Sequence, residues 1–192
     1  MANVNAPRGF VPVRDKGRDP TTNSKASYTI ASAYGTAIYQ GDPVLSTGTS
    51  DTYGRRTVAI GVAGSTHVGV FAGVKYIDST GKPVEKNYWP AAQVGTNIEA
   101  LIYDDPETIF EAQVSSATGM VAADTGNGAD ITLGTGNAAT GVSGAMVDQT
   151  TLGQDNVVIL SLSPKVGNEF GQYAKALVQF KEHEYADPLT KR

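Results

Sequence analysis

Apolar and polar residues alternate with period two over several short stretches of this chain. In residues 97–103, Ile98, Ala100 and Ile102 alternate with Glu99, Leu101 and Tyr103; in 108–114, Phe110, Ala112 and Val114 alternate with Ile109, Glu111 and Gln113. Such alternation marks a half-buried strand. The turn sequence Asp104-Asp105-Pro106-Glu107 between the two runs predicts a hairpin. Residues 174–180 alternate in the same way, with Ala174, Ala176, Val178 and Phe180 on one face. Residues 155–163 (DNVVILSLS) are nearly continuous in apolar character, which predicts a strand buried on both faces. Two further strands are predicted over 57–63 and 68–77, and an early hairpin over 27–33 and 36–40 around Gly35.

Helical periodicity is scarce. Residues 88–94 and 119–124 have room for one turn each, and 115–141 is rich in Gly, Ala, Thr and Asn, so it reads as a long surface excursion with one short strand at 130–133. About eight or more short strands, with turn signals roughly every 8–12 residues, predict an all-β fold, either an antiparallel β-barrel or a jelly-roll-like sandwich. The 22 glycines and the shortage of helix formers agree with this.

Composition separates the first 25 residues from the rest. Arg8, Arg14, Lys16, Arg18 and Lys25 against Asp15 and Asp19 give this segment +3; the whole chain is −4, so residues 26–192 carry −7. Pro7, Pro12 and Pro20 each remove a backbone donor and exclude a regular helix there. The division expected is an extended basic arm over 1–25, a single β-rich body over 26–185 and a tail over 186–192. An acidic body argues against general nucleic-acid binding. There are no cysteines, which excludes disulfides and thiolate chemistry. No secretory leader and no membrane span are expected from the sequence.

Candidate chemistry is thin. His67 and His183 are the only histidines and nothing in the sequence places them together, so both read as solvated polar residues. Asp104, Asp105, Glu107 and Glu111 form the densest carboxylate group, which suits acid/base hydrolysis or calcium binding, but Asp-Asp-Pro-Glu is also ordinary turn chemistry. Residues 124–130 lack the ligand order of a calcium loop. No nucleophile elbow or phosphate loop is present. The sequence therefore predicts neither an enzyme nor a metal or other cofactor. Trp89 reads as a core anchor or a subunit contact. Phe170, with Tyr173 close by, reads as a turn aromatic folded onto its sheet or as a partner contact.

The stretches ANVNAPRGFVPVR, YQGDPVLS, ALIYDDPETIFEAQV and GNEFGQYAKALVQFKEHEY, in this order and spacing, resemble the head decoration, or capsid cement, proteins of tailed bacteriophages. The likeness is weakest over 115–150, and the basic run within 15–25 departs from it. The resemblance implies a β-rich virion protein, commonly trimeric, made in the host cytoplasm. It would sit on the exterior of the expanded capsid and bridge neighbouring major capsid proteins, with no cofactor, nucleic acid or membrane. In that reading the arm contacts the capsid through Asn3, Val4, Asn5, Arg8, Phe10, Val11, Val13, Arg14 and Arg18, ordering only on binding. Trp89, Phe170 and Tyr173 are candidates for the subunit interface. A module for carbohydrate or host adhesion is the alternative, with Tyr88, Trp89 and the 115–141 loop as a sugar platform.

Overall fold

A computed structural model describes residues 3–15, 24–115, 119–151 and 156–186. The fold is all-β, and antiparallel sheets form a sandwich. The first sheet takes β1 (Val11–Asp15), β10 (Thr108–Gln113), β14 (Lys175–Phe180), β13 (Val157–Leu162), β11 (Gly128–Thr132) and β12 (Met146–Asp148), in that spatial order. The second takes β2 (Ala26–Tyr28), β9 (Thr96–Tyr103), β6 (Gly69–Ile77), β4 (Pro43–Ser50) and β5 (Arg56–Ile60), with β7 (Pro83–Lys86) also on β6. A two-stranded ladder joins β3 (Ile38–Tyr39) to β8 (Tyr88–Trp89).

Each sheet curls over its own apolar cluster. Phe110, Val157, Ile159, Ala176 and Val178 fill the first; Ile30, Val44, Phe71, Trp89 and Ile102 fill the second. Neither sheet closes into a barrel. Single parallel bridges also join Val114, just after β10, to Val147 on β12, and Thr29, just after β2, to Thr57 on β5.

The strands at 97–103 and 108–114 form as the alternation predicts, but they are not a hairpin. β9 pairs with β2 and β6, and β10 with β1 and β14, so both edges of each strand are already taken. The link Asp104-Asp105-Pro106-Glu107 is a corner that carries the chain between sheets, closed by Thr108 N–H donating to the Asp105 carbonyl at 3.1 Å. The early hairpin around Gly35 is also absent. β2 pairs with β9 and β3 with β8, because the apolar Tyr28, Ile30 and Ile38 are all drawn into the second cluster.

The apolar run at 155–163 is buried on one face only: Val157 and Ile159 are buried, whereas Val158, Leu160 and Leu162 are half-buried. Residues 115–141 are not a mere surface excursion. Met120, Ala129 and Ile131 enter the first cluster, and the strand there is β11; residues 116–118 lie outside the described set. The turn at 119–124 is a short 3₁₀ helix, Ala122–Asp124, while 88–89 is strand rather than helix.

Candidate interaction surface

The N-terminal segment is built into the body. β1 lies along the edge of the first sheet, paired with β10 from Val11–Glu111 to Asp15–Thr108 with a bulge between Pro12 and Arg14. That irregularity lets Pro12, which has no N–H to give, occupy an edge strand. Phe10 is only 1% exposed. Its ring lies 6.5 Å from Phe110 and 5.4 Å from Phe180, and its N–H donates to the Gly41 carbonyl at 2.9 Å. Phe10 is therefore a core residue of this chain. The expectation of a detached arm, with Phe10 as an anchor for another protein, is corrected: an aromatic ring next to two other phenylalanines gains more from its own core than from water.

Upstream, side-chain hydrogen bonds hold the segment as a strap. Asn3 Nδ2 donates to the carbonyls of Glu169 (2.7 Å) and Gln172 (3.0 Å), and Asn3 Oδ1 accepts from Glu169 N–H (3.1 Å). Gln113 reaches both ways: its Oε1 accepts from Ala6 N–H and its Nε2 donates to Asn5 Oδ1, both at 2.9 Å. What the strap presents to solvent is Val4, Asn5, Arg8, Val13 and Arg14, with Val11 half-buried. Arg18 lies outside the described residues.

Val4, at 75% exposure, and Phe170, at 48%, sit on segments joined by the Asn3 bonds. Val121 adjoins them, because Met120 and Gly171 exchange backbone hydrogen bonds at 2.8 and 2.9 Å. Exposed Val166 belongs to the same connection between β13 and β14. Tyr173 is half-buried with φ of +59°. Of the two sequence readings of Phe170, the ring folded onto its sheet is not what forms; the ring is exposed, and its neighbours come from three separate parts of the chain.

Trp89 is fully buried, its ring edge-on to Tyr76 at 5.2 Å. Of its two readings the core anchor is correct, and it is unavailable to a subunit interface or a sugar platform. Pairing with Ile38 on β3 turns its indole into the second cluster. Tyr88 instead stacks on Tyr39, with centroids 5.5 Å apart.

The carboxylates are dispersed among separate tasks. Asp104 accepts from the Tyr28 hydroxyl at 2.9 Å, and Asp105 accepts from Glu107 N–H at 2.8 Å. Buried Glu111 accepts from Ser163 and from Lys165 Nζ, each at 2.6 Å. Burial alone would raise the Glu111 pKa, but these two partners more than offset it and hold it below its usual range. Asp124 is buried and caps Val121 N–H. Among the described residues no group of three His, Cys, Asp or Glu side chains could hold a metal ion.

His67 and His183 overturn the expectation of solvated polar residues. They are buried and lie on backbone segments bridged to each other. Nothing in the local sequence of either predicts this, because their meeting depends on how the chain after β14 crosses between sheets.

No family model, curated protein or solved structure matches this chain.

Proposed function

We propose that this chain is a structural virion protein that binds the exterior of an expanded phage capsid and bridges neighbouring major capsid proteins. It would act as a trimer and without a cofactor. The observation that carries this reading is the strap. Residues 3–15 are fixed along the margin of the first sheet with Val4, Asn5, Arg8, Val13 and Arg14 exposed, and the Asn3 bonds join the start of the segment to the connection that carries exposed Phe170.

Three physical features support it. Among the described residues β1 pairs with β10 alone and so lies at the margin of its sheet, the position where a strand from another protein can be added. Arg8 and Arg14 offer positive charge on a protein of net −4, which suits an acidic patch on a shell subunit. Because the strap is already ordered, docking costs less entropy than ordering a free arm would. Repetition over a lattice then multiplies a modest single-site affinity.

The test is co-sedimentation of the purified protein with expanded capsids that lack it. Binding to mature heads, weakened by Arg8→Ala combined with Arg14→Ala, is the expected result. Absence from the capsid pellet, or binding to free DNA instead, refutes the reading. Native mass spectrometry checks the trimer.

A further inference from the structure

Residues 181–186 leave β14 and cross to the second sheet. There His67 N–H donates to the Glu182 carbonyl and Glu184 N–H donates to the His67 carbonyl, both at 2.9 Å. This parallel bridge seats His183 beside His67. His67 is 0% exposed and packs on Gly61, where an added Cβ would lie 2.5 Å from the imidazole, and against the Phe180 ring at 5.4 Å. Neither of its nitrogens has a hydrogen-bond partner. His183 is 5% exposed; its Nδ1 accepts from Tyr185 N–H at 3.1 Å, so the proton sits on Nε2. That Nε2 approaches the Val68 carbonyl without a hydrogen bond of normal geometry.

The charged groups around the pair come from four places. Asp104 and Asp105 face it from the β9–β10 corner, and Glu182 and Glu184 lie in the crossing segment itself. Arg56 on β5 pairs with Glu184 and donates to the Tyr185 hydroxyl at 2.7 Å. Tyr28 on β2 bonds both Asp104 and Tyr185.

We propose that His67 and His183 form an acid-operated clasp. While neutral, the pair holds residues 181–186 against the second sheet; once protonated, it releases that segment and uncovers the margin around Arg56, Gly61 and His67, and both apolar clusters stay intact.

Among the described residues the seat offers no acceptor for a second imidazole proton on His67, and burial there disfavours a cation. Burial, with His183 nearby, pushes His67 down to about 4. Burial lowers His183 too, though Asp104, Asp105 and Glu184 counter part of this. The first proton therefore enters on His183, and its charge then opposes a second on His67. With the segment released, both imidazoles, His183 on it and His67 on the margin it uncovers, regain ordinary values near 6.5. Each pH unit below that favours release by up to about tenfold per histidine. The clasp does not depend on the capsid reading and would operate whatever the protein binds.

Amide hydrogen exchange on the full chain, corrected for intrinsic rates, tests this between pH 7.5 and 4.5. Protection at His67 and Glu184 should fall about tenfold or more per pH unit below 6, and at every pH these two amides should exchange faster than those of β10 and β14, which open only with the whole fold. His183→Asn keeps an acceptor for Tyr185 N–H but cannot titrate, so it should roughly halve that slope. Glu184→Gln should leave the slope in place. Unchanged protection at His67 and Glu184, exchange there no faster than in β10, or a slope abolished by Glu184→Gln overturns the clasp. If His183→Asn does not fold, histidine NMR of the unaltered chain decides. Both imidazole resonances should titrate together with the loss of protection; ordinary titration near 6.5 in a fully protected segment refutes the proposal.

Discussion

Gly9 and Gly41 meet backbone to backbone. A Cβ on Gly9 would lie 2.5 Å from the Gly41 carbonyl oxygen and 2.7 Å from the Ser143 Cβ, and Gly9 holds φ at +67°. This approach lets Phe10 N–H reach the same carbonyl and points the Phe10 ring into the first cluster. Gly9→Ala adds left-handed strain of about 1–2 kcal/mol and overpacking of about 1–3 kcal/mol. Urea unfolding of the variant should show a midpoint lowered by the equivalent of about 2–5 kcal/mol. A midpoint within error of the parent would mean that the strap is not seated as described.

Stability and partner binding should separate along the strap. Phe10→Ala removes a ring that touches two other phenylalanines and should cost about 3–5 kcal/mol. Arg8→Ala and Arg14→Ala, on exposed side chains, should change stability by no more than about 0.5 kcal/mol while weakening capsid binding. For the same reason, deleting residues 1–25 should destabilise the body rather than leave it intact. Thermal melts followed by circular dichroism distinguish the two classes.

Acid should weaken the fold before carboxylates as a class are protonated. The unfolded chain takes up a proton on His67 near pH 6.5, whereas the folded chain resists it until about 4. The stability this site contributes is complete above about pH 6.5 and is lost as pH falls from there toward 4. Glu111 adds a second loss lower down, because its folded value lies below the ordinary one; its contribution is present above that ordinary value and fades as pH falls through the folded one. Urea midpoints at pH 7.5, 6.0 and 5.0 should therefore fall in sequence. A flat profile between 7.5 and 5.0 would contradict the burial of His67.

Asp42 offers a test of opposite sign. Burial raises its carboxyl, although the Ser143 hydroxyl and Tyr39 N–H both donate to it. A raised folded value means that its contribution is greatest at low pH and declines as pH rises through the folded value. Asp42→Asn removes the cost of burying a charge and can still accept from Tyr39 while donating to Ser143, so at pH 7 it should lie within about 1 kcal/mol of the parent. Asp42→Ala strands two buried donors and should cost about 2–3 kcal/mol. Denaturant curves of the two variants at pH 7 give the comparison.

Strand positions were legible in the sequence wherever one face is buried, because period two then survives in the residue pattern. Residues 97–103, 108–114 and 174–180 are examples, and each is a strand. Partners were not legible. The corner at Asp104–Glu107 has the chemistry of a hairpin turn, and only the occupied edges of β9 and β10 show that it turns between sheets. Charge and proline content marked residues 1–25 as an extended arm; among the described residues Val11–Asp15 form a strand, but nothing in the pattern showed that Phe10 belongs to the core. Val13 is as apolar as Val11 yet more exposed, and the bulge after Pro12 that separates them is a property of the pairing. The two histidines were hidden for the same reason: burial of a polar side chain comes from tertiary closure, which a local pattern does not encode.

The pairing of Val11 with Glu111 also sets the order in which the fold can assemble. A strand near the start of the chain has no ladder to join until residues about a hundred positions later are available, and β10 in turn needs β14 beside it. Contacts of such long sequence separation slow folding into the millisecond-to-second range. During synthesis, Phe10 and its neighbouring valines would wait in water while the roughly hundred residues between β1 and β10 are made. The strap is therefore made well before the strand it pairs with, and that interval is when this protein is most exposed to mispairing with another copy.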